Sequence, residues 1–307
     1  MSKYVLVPDS FKGTMTSREI CEIMQHAIER IDSDAKIISV PVADGGEGSV
    51  DAFLSALGGE RKAITVTGPH FEKLSSSYGI TADGTAVIEM SACAGLPLVY
   101  GKKNPEITTT YGVGELICDA ARSGARRIVI GLGGSATNDG GCGAAAAAGV
   151  RFYDKSGKNF IPVGRTLKDI ASIDYSGLES ALTGIRITAM CDVDNPLLGE
   201  AGAANVFGPQ KGANAAMIAR LDAGLRHLAE VSGKAKLSSM PSAGAAGGMG
   251  FGMMAFFNCP LQMGIDGLLD IIDFESILAG ADLVLTGEGR IDPHSMRGKT
   301  VIVVARR

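Results

Sequence analysis

Ile128-Val-Ile-Gly-Leu-Gly-Gly-Ser-Ala-Thr-Asn-Asp-Gly-Gly-Cys-Gly143, running into Ala144–Ala148, decides how this chain is read. Arg126-Arg-Ile-Val-Ile is a short, apolar, β-branched run bounded by glycine, which predicts a buried strand. Gly131, Gly133 and Gly134 then allow positive φ and close approach of backbone to a ligand or a neighbouring element. Thr137, Asn138 and Asp139 are good N-cap types, and the alanines behind them favour helix. The segment therefore predicts strand, glycine turn, helix, with free N–H groups at the turn that suit an anion.

Two motif tests narrow the ligand. A Walker phosphate loop needs a lysine after its glycines, and none follows here. The dinucleotide fingerprint does match at Gly131, Gly133 and Ala136, with Asp154 ending the next apparent strand. Its helix should begin at the third small residue, however, and Asp139 would crowd a pyrophosphate. The glycine part, Gly133–Asp139, reads as a ligand loop. The alanine run has the plainer alternative of close helix–sheet packing.

Before this segment, Tyr4-Val-Leu-Val-Pro predicts a strand, and a helix to about Arg30 begins at Thr16 or Ser17, with Glu19 in its first turn. Ile20, Ile23, Met24, Ala27, Ile28 and Ile31 recur at helical spacing along it. Lys36–Val42 reads as a second strand, and a second helix ends near Leu57. This is the start of a doubly wound, Rossmann or flavodoxin-like parallel sheet. From about Lys62 the pattern alternates like antiparallel strands, with a tight turn at Asp83-Gly84. Arg186–Cys191 and Asp282–Thr286 read as strands, and Ala213–Val231 as a helix. Ala243–Gly252 is a low-complexity run of small residues. Val301–Arg307 is an apolar, β-branched run expected to expose a new element. Boundaries fall near residue 70 and near residue 275, where the α/β rhythm resumes, and they set an α/β part of residues 1–70 plus 275–307 apart from a mixed α/β part of residues 71–274.

Composition excludes several classes. Hydrophobic residues make up 46% and charged residues 20% of the 307, which excludes disorder and coiled coil. A net charge of −4 without a basic cluster argues against nucleic acid, and no apolar run has membrane-spanning length. The six cysteines form no C-x-x-C pair, and Met1-Ser-Lys leads directly into a strand, which together suggest reduced thiols and a cytoplasmic setting.

Acids recur at strand ends: Asp9 after Val7-Pro8, Asp44 after Val42-Ala43, Asp192 after Met190-Cys191 and Glu288 after Thr286-Gly287. Ligands of open α/β sheets bind beyond these ends, and carboxylates without histidine or cysteine suit hard oxygen chemistry with Mg2+, polyols and phosphates. Lys12 and Ser10 add donors close by. No G-x-S-x-G elbow exists, and of the histidines only His294, beside Asp292, draws attention.

Taken together, Val7-Pro-Asp-Ser-Phe-Lys-Gly, Ala43-Asp-Gly-Gly-Glu-Gly, Gly131–Gly141, Cys191-Asp-Val-Asp-Asn-Pro-Leu, Phe207-Gly-Pro-Gln-Lys-Gly, Gly244–Gly250 and Thr286-Gly-Glu-Gly-Arg-Ile-Asp resemble the bacterial type-1 glycerate kinase family. His70 after Thr67-Gly-Pro is a mild departure, since the family usually has Leu there. The resemblance implies two α/β domains with the active site in the cleft between them, and a chain that continues past the final segment. It also implies phosphorylation of D-glycerate by ATP, with 2-phosphoglycerate the product favoured over the 3-phospho isomer. A homodimer is compatible with it.

On this reading Asp192 is the base, and Lys12 is the second catalytic group. Asp9, Ser10, Asp44, Glu47, Glu288 and Arg290 are assigned to substrate. Gly133, Gly134, Ser135, Thr137 and Asn138 are assigned to nucleotide, and Asp194 and Asp292 to Mg2+. A nicotinamide-dependent oxidoreductase using Gly131–Ala136 is the alternative, and a non-catalytic sensor a third class.

Overall fold

A computed structural model describes residues 1–11, 14–42, 48–290 and 300–307. Lys12, Asp44, Glu47, Asp292 and His294 lie outside the described residues. In chain order the first elements are β1 (Lys3–Pro8), α1 (Ser17–Glu29), β2 (Lys36–Ser39), α2 (Ser49–Leu57), β3 (Gly59–Thr67), β4 (Lys73–Thr81), β5 (Thr85–Glu89) and α3 (Ser91–Ala94). The middle holds α4 (Tyr111–Arg122), β6 (Arg127–Gly131), α5 (Cys142–Ala147), β7 (Arg151–Tyr153), β8 (Asn159–Phe160), β9 (Ser172–Asp174), α6 (Ser176–Leu182) and β10 (Arg186–Cys191). After these come α7 (Ala203–Phe207), α8 (Ala215–Val231), α9 (Ala245–Phe257), β11 (Leu261–Met263), α10 (Gly264–Ile271), α11 (Phe274–Leu278), β12 (Leu283–Gly287) and α12 (Thr300–Arg306).

The result is a mixed α/β fold. A three-stranded parallel sheet has the order β12-β1-β2, so it is built from both ends of the chain. Everything between β2 and β12 in sequence supplies a six-stranded sheet, β11-β10-β6-β5-β4-β3, and a small sheet, β8-β7-β9. The six-stranded sheet is parallel from β11 to β5 and antiparallel across β4 and β3. Because β3 pairs with β4, the change of sheet falls before Gly59, not near residue 70 where the sequence pattern placed it.

Period-two alternation covers both faces of the large sheet. Val87, Val129 and Met190 point to one side, into a core shared with Phe53 of α2, Leu268 and Leu269 of α10, and Val5 and Val7 of β1. Ala86, Ile88, Ile128, Ile130, Ala189 and Cys191 point to the other, against Val113, Leu116 and Ile117 of α4 and Met249 and Met253 of α9. Each fully buried Val, Leu, Ile, Phe or Met side chain among these contributes about 1.5–3 kcal/mol.

Local signals explain several boundaries. Thr16 caps α1 with a capping box: Glu19 N donates to Thr16 Oγ1 (3.2 Å), and Thr16 N donates to Glu19 Oε2 (2.7 Å). On that helix Ile20 is buried and Ile23 exposed, and Ile31 of the same apolar pattern lies exposed beyond the helix end. Ala243–Gly252, the run of small residues, leads into the regular part of α9 through a left-handed turn at Ala246, Gly247 and Gly248. Two expectations are corrected. The alanine run forms only part of the six-residue α5, with Gly141 at the N-cap position in place of Thr137, Asn138 or Asp139, although the Asp139 side chain accepts from Gly143 N in its first turn. Val301–Arg307 is no exposed element: α12 buries Val303 and Val304 beside Val5 and Val7.

Candidate active site

The carboxyl ends of β6 and β10 lie side by side, and Leu132 N donates to Met190 O (3.0 Å) to carry the pairing past the strands. The glycine loop then turns along Ala94–Leu96, with Leu96 N on Gly134 O (2.9 Å) and Ala136 N on Ala94 O (2.8 Å). Gly134 has φ +70°, a conformation that glycine adopts without the steric cost of a Cβ. Among the described residues the amides of Gly133, Gly134 and Ser135 have no hydrogen-bond partner. These residues line a cleft of about 230 Å³ together with Asp192, Val193, Phe207, Lys211 and Ala246.

Two buried charges organise the cleft from beneath. Asp139 is fully buried and accepts from Thr110 N (2.8 Å), Thr110 Oγ1 (2.9 Å), Gly141 N (3.1 Å) and Gly143 N (3.3 Å). Thr110 Oγ1 in turn accepts from Ala144 N (2.9 Å), so the first turn of α5 spends its amides on protein groups. The anion site expected at that helix start is therefore absent, and Asp139 ties α4 to α5 without facing a phosphate. Burial pushes its carboxyl pKa up, against the pull of its donors. Lys211, 2% exposed, donates from Nζ to Ser135 Oγ (2.8 Å) and Thr137 O (2.7 Å). Burial lowers its pKa to about 7, partly offset by the nearby Asp139.

The glycines behind the loop are packing devices. A Cβ on Gly247 would stand 2.0 Å from Thr137 O and 2.8 Å from Asn138 Cα, and one on Gly252 would stand 2.5 Å from Gly140 O. Backbone rests directly on backbone here, which is why two small-residue runs far apart in sequence meet, Gly247 on Thr137 and Gly252 on Gly140. Thr137 and Asn138 are fully buried and do not line the cleft, so the structure does not place them where direct contact with nucleotide was expected.

A second group gathers at the carboxyl edge of the three-stranded sheet. Asp9 N donates to Gly287 O (2.7 Å), Asp9 Oδ1 accepts from Ser10 N (2.6 Å), and Asp9 Oδ2 accepts from Thr300 Oγ1 (3.0 Å). Glu288 follows β12 directly, half-buried, and Arg290 is exposed. The two edges meet through α2: Glu89, the last residue of β5, accepts from Val50 N (2.8 Å) in the first turn of that helix. Burial raises the Glu89 pKa. Asp192 and Asp194 are both exposed, and only Asp192 lines the cleft. Among the described residues no group of three or more His, Cys, Asp and Glu could by itself hold a metal. No described helix is long and apolar enough to cross a membrane.

Sequence reasoning missed Lys211 and Glu89. Lys211 sits in the motif Phe207-Gly-Pro-Gln-Lys-Gly, where a lysine between glycines was the available signal. Its burial comes from contacts with a loop 74 residues away and is not written in that motif.

The cleft thus gathers the Gly133–Ser135 amides and the Asp192 carboxylate at the strand ends of a mixed α/β fold. A model of the glycerate kinase family matches residues 4–307. The chain is 47% identical to a glycerate kinase of Bacillus subtilis (strain 168), over 99% of this chain and 81% of that protein. It is 46% identical to a glycerate 2-kinase of Escherichia coli (strain K12), over 99% and 81% respectively. A crystal structure from Salmonella typhimurium LT2, assigned to glycerate kinase 2, superposes with a TM-score of 0.91 at 42% identity. That superposition covers 99% of this chain and 83% of the other. The chain belongs to the glycerate kinase family and is a kinase. The oxidoreductase alternative finds no support.

Proposed function

We propose that the cleft at the ends of β6 and β10 takes the phosphates of ATP, and that the enzyme transfers the γ-phosphoryl group to D-glycerate. The observation that carries this reading is the convergence of the unpartnered Gly133–Ser135 amides and Asp192 on one cleft. Phosphoryl transfer asks mainly for positioning and charge stabilisation, together with a group that orients or deprotonates the attacking hydroxyl. Asp192 takes the hydroxyl proton as the alcohol oxygen bonds to the γ-phosphorus and the bond to ADP breaks. Asp194, with Asp292 from the sequence, offers hard oxygen donors of the kind Mg2+ takes alongside phosphate, and these would hold a metal that neutralises phosphate charge when bound. Asp9, Ser10, Glu288 and Arg290 supply the polar edge for the hydroxy acid, Arg290 as a cation for its carboxylate. Lys12, Asp44, Glu47 and Asp292 join this assignment from the sequence alone.

The test is a coupled assay for ADP release with D-glycerate, with the product isomer read by phosphorus NMR. ATP with Mg2+ should raise the melting temperature and NAD should not. Stabilisation by NAD, or no ADP release with D-glycerate, rejects the assignment. A 3-phospho product rejects only the expectation that the 2-hydroxyl is the acceptor.

A further inference from the structure

Lys211 is an ammonium set in the protein interior with neutral oxygens for company. Of its three N–H donors, one meets Ser135 Oγ and one meets Thr137 O. Among the described residues no carboxylate pairs with it: Asp139, the nearest in influence, has its oxygens occupied by four other donors. An interior cation without a contact ion pair is costly, and the cost falls when an anion arrives. Lys211 also lines the cleft, next to Gly133, Gly134 and Ser135 with their unpartnered amides. Asp192, the other charged residue in that lining, is exposed.

We infer that Lys211 is a further catalytic residue, whose third Nζ–H binds an anionic phosphate oxygen of the nucleotide seated on the Gly133–Ser135 amides. The arriving phosphate completes the coordination of the ammonium and supplies its missing counter-charge. Ser135 Oγ and Thr137 O hold Nζ in place beforehand, so little side-chain entropy is lost on binding. The lowered pKa in the free protein adds a consequence. A phosphate beside Nζ favours the charged form, so at a pH above 7 nucleotide binding draws a proton onto Lys211. The charged groups around it are Asp139 beneath and Asp192 in the cleft wall, with Lys103 bonded to Gln210 O behind. Cys191 in the wall has its thiol pushed up by burial.

The inference rests on the reading that the glycine loop takes nucleotide, and the experiment separates the two. Calorimetry on the full chain compares adenosine, AMP, ADP and D-glycerate binding in the parent, Gly134→Val, Lys211→Met and Lys211→Arg. Lys211→Met should lose ADP affinity by about tenfold or more while adenosine and D-glycerate are unaffected. Lys211→Arg should not restore it, since a planar guanidinium cannot occupy a site shaped for a compact ammonium. Unchanged ADP affinity in Lys211→Met, with affinity lost in Gly134→Val, overturns the role of Lys211 and leaves the loop reading intact. A loss confined to D-glycerate overturns the phosphate assignment. Unchanged ADP affinity in both variants overturns the loop reading as well. Should Lys211→Met fail to fold, Lys211→Gln is measured in its place, with the same outcomes. At about pH 8.5, where the ADP phosphates are already fully ionised, binding to the parent in buffers of different ionisation enthalpy should show proton uptake. Uptake that persists unchanged in a folded Lys211 variant overturns the inference.

Discussion

Lys211 Nζ donates to the main-chain oxygen of Thr137 across 2.7 Å, joining two segments 74 residues apart in the chain. Thr137 O is also the atom nearest to where a Cβ on Gly247 would stand, so one carbonyl fixes both the lysine and the neighbouring glycine turn. The floor of the cleft is thus set by tertiary contacts on a single residue.

The pH dependence of stability should carry the mark of Lys211. Its folded-state pKa, about 7, lies below the ordinary value of 10.5. Below about pH 7 both folded and unfolded states hold the proton, and the cost of burying the charge is fully present. Between pH 7 and about 10.5 the unfolded state binds a proton that the folded state has released, so stability rises with pH. Urea midpoints at pH 6.5 and pH 9 measure this rise. Lys211→Met should lose it, and a rise equal to the parent's would show that Lys211 does not titrate in that window.

Gly134 is where a substitution should cost function before it costs the fold. A valine there must adopt φ +70°, and its Cβ would meet Ser91 Cβ at 3.4 Å, an ordinary contact. The strain is therefore mostly backbone, about 1–2 kcal/mol or somewhat more for a β-branched residue. ADP affinity should fall by more than tenfold, because the amides on either side leave their position. Calorimetry with circular dichroism checks both halves, and unchanged affinity would return the loop to a packing role.

Two glycines with positive φ separate packing from conformation. At Gly124 (φ +90°) a Cβ meets nothing within 4 Å, so Gly124→Ala should cost only backbone strain, about 1 kcal/mol. At Gly247 (φ +70°) the Cβ would lie 2.0 Å from Thr137 O, a main-chain atom that cannot swing aside. Gly247→Ala should cost more than about 3 kcal/mol and disturb ADP binding with it. Equal melting temperatures for the two variants would refute the close backbone packing.

Asp192→Asn tests the base. The strand before it is held on both sides, by β6 and β11, and its Ile187 and Ala189 are buried, so the backbone of Asp192 starts from a rigid element. Asparagine keeps the size but cannot accept the proton. We expect kcat to fall by about 10²–10⁴-fold with ADP affinity and melting temperature nearly unchanged. A kcat within about threefold of the parent would make Asp192 structural and pass the role to Asp44.

What the sequence determined by itself was local and periodic. Ile128–Ile130 read as a buried strand because every residue is apolar and β-branched, and Thr16 with Glu19 read as a helix start because a capping box needs only four consecutive residues. The acids Asp9, Asp192 and Glu288 were legible as strand-end residues for the same reason. Tertiary structure decided the rest. Asp139 looked like an obstacle to phosphate until Thr110, far away in sequence, took its charge inward. Lys211 carried no role in the sequence, and only the fold brings Ser135 and Thr137 onto it. Thr137 and Asn138 looked like ligand residues until Gly247 pressed them beneath the surface. Burial, and with it the energy and protonation of a charge, depends on which distant backbone comes to rest against it, and period and spacing carry no record of that.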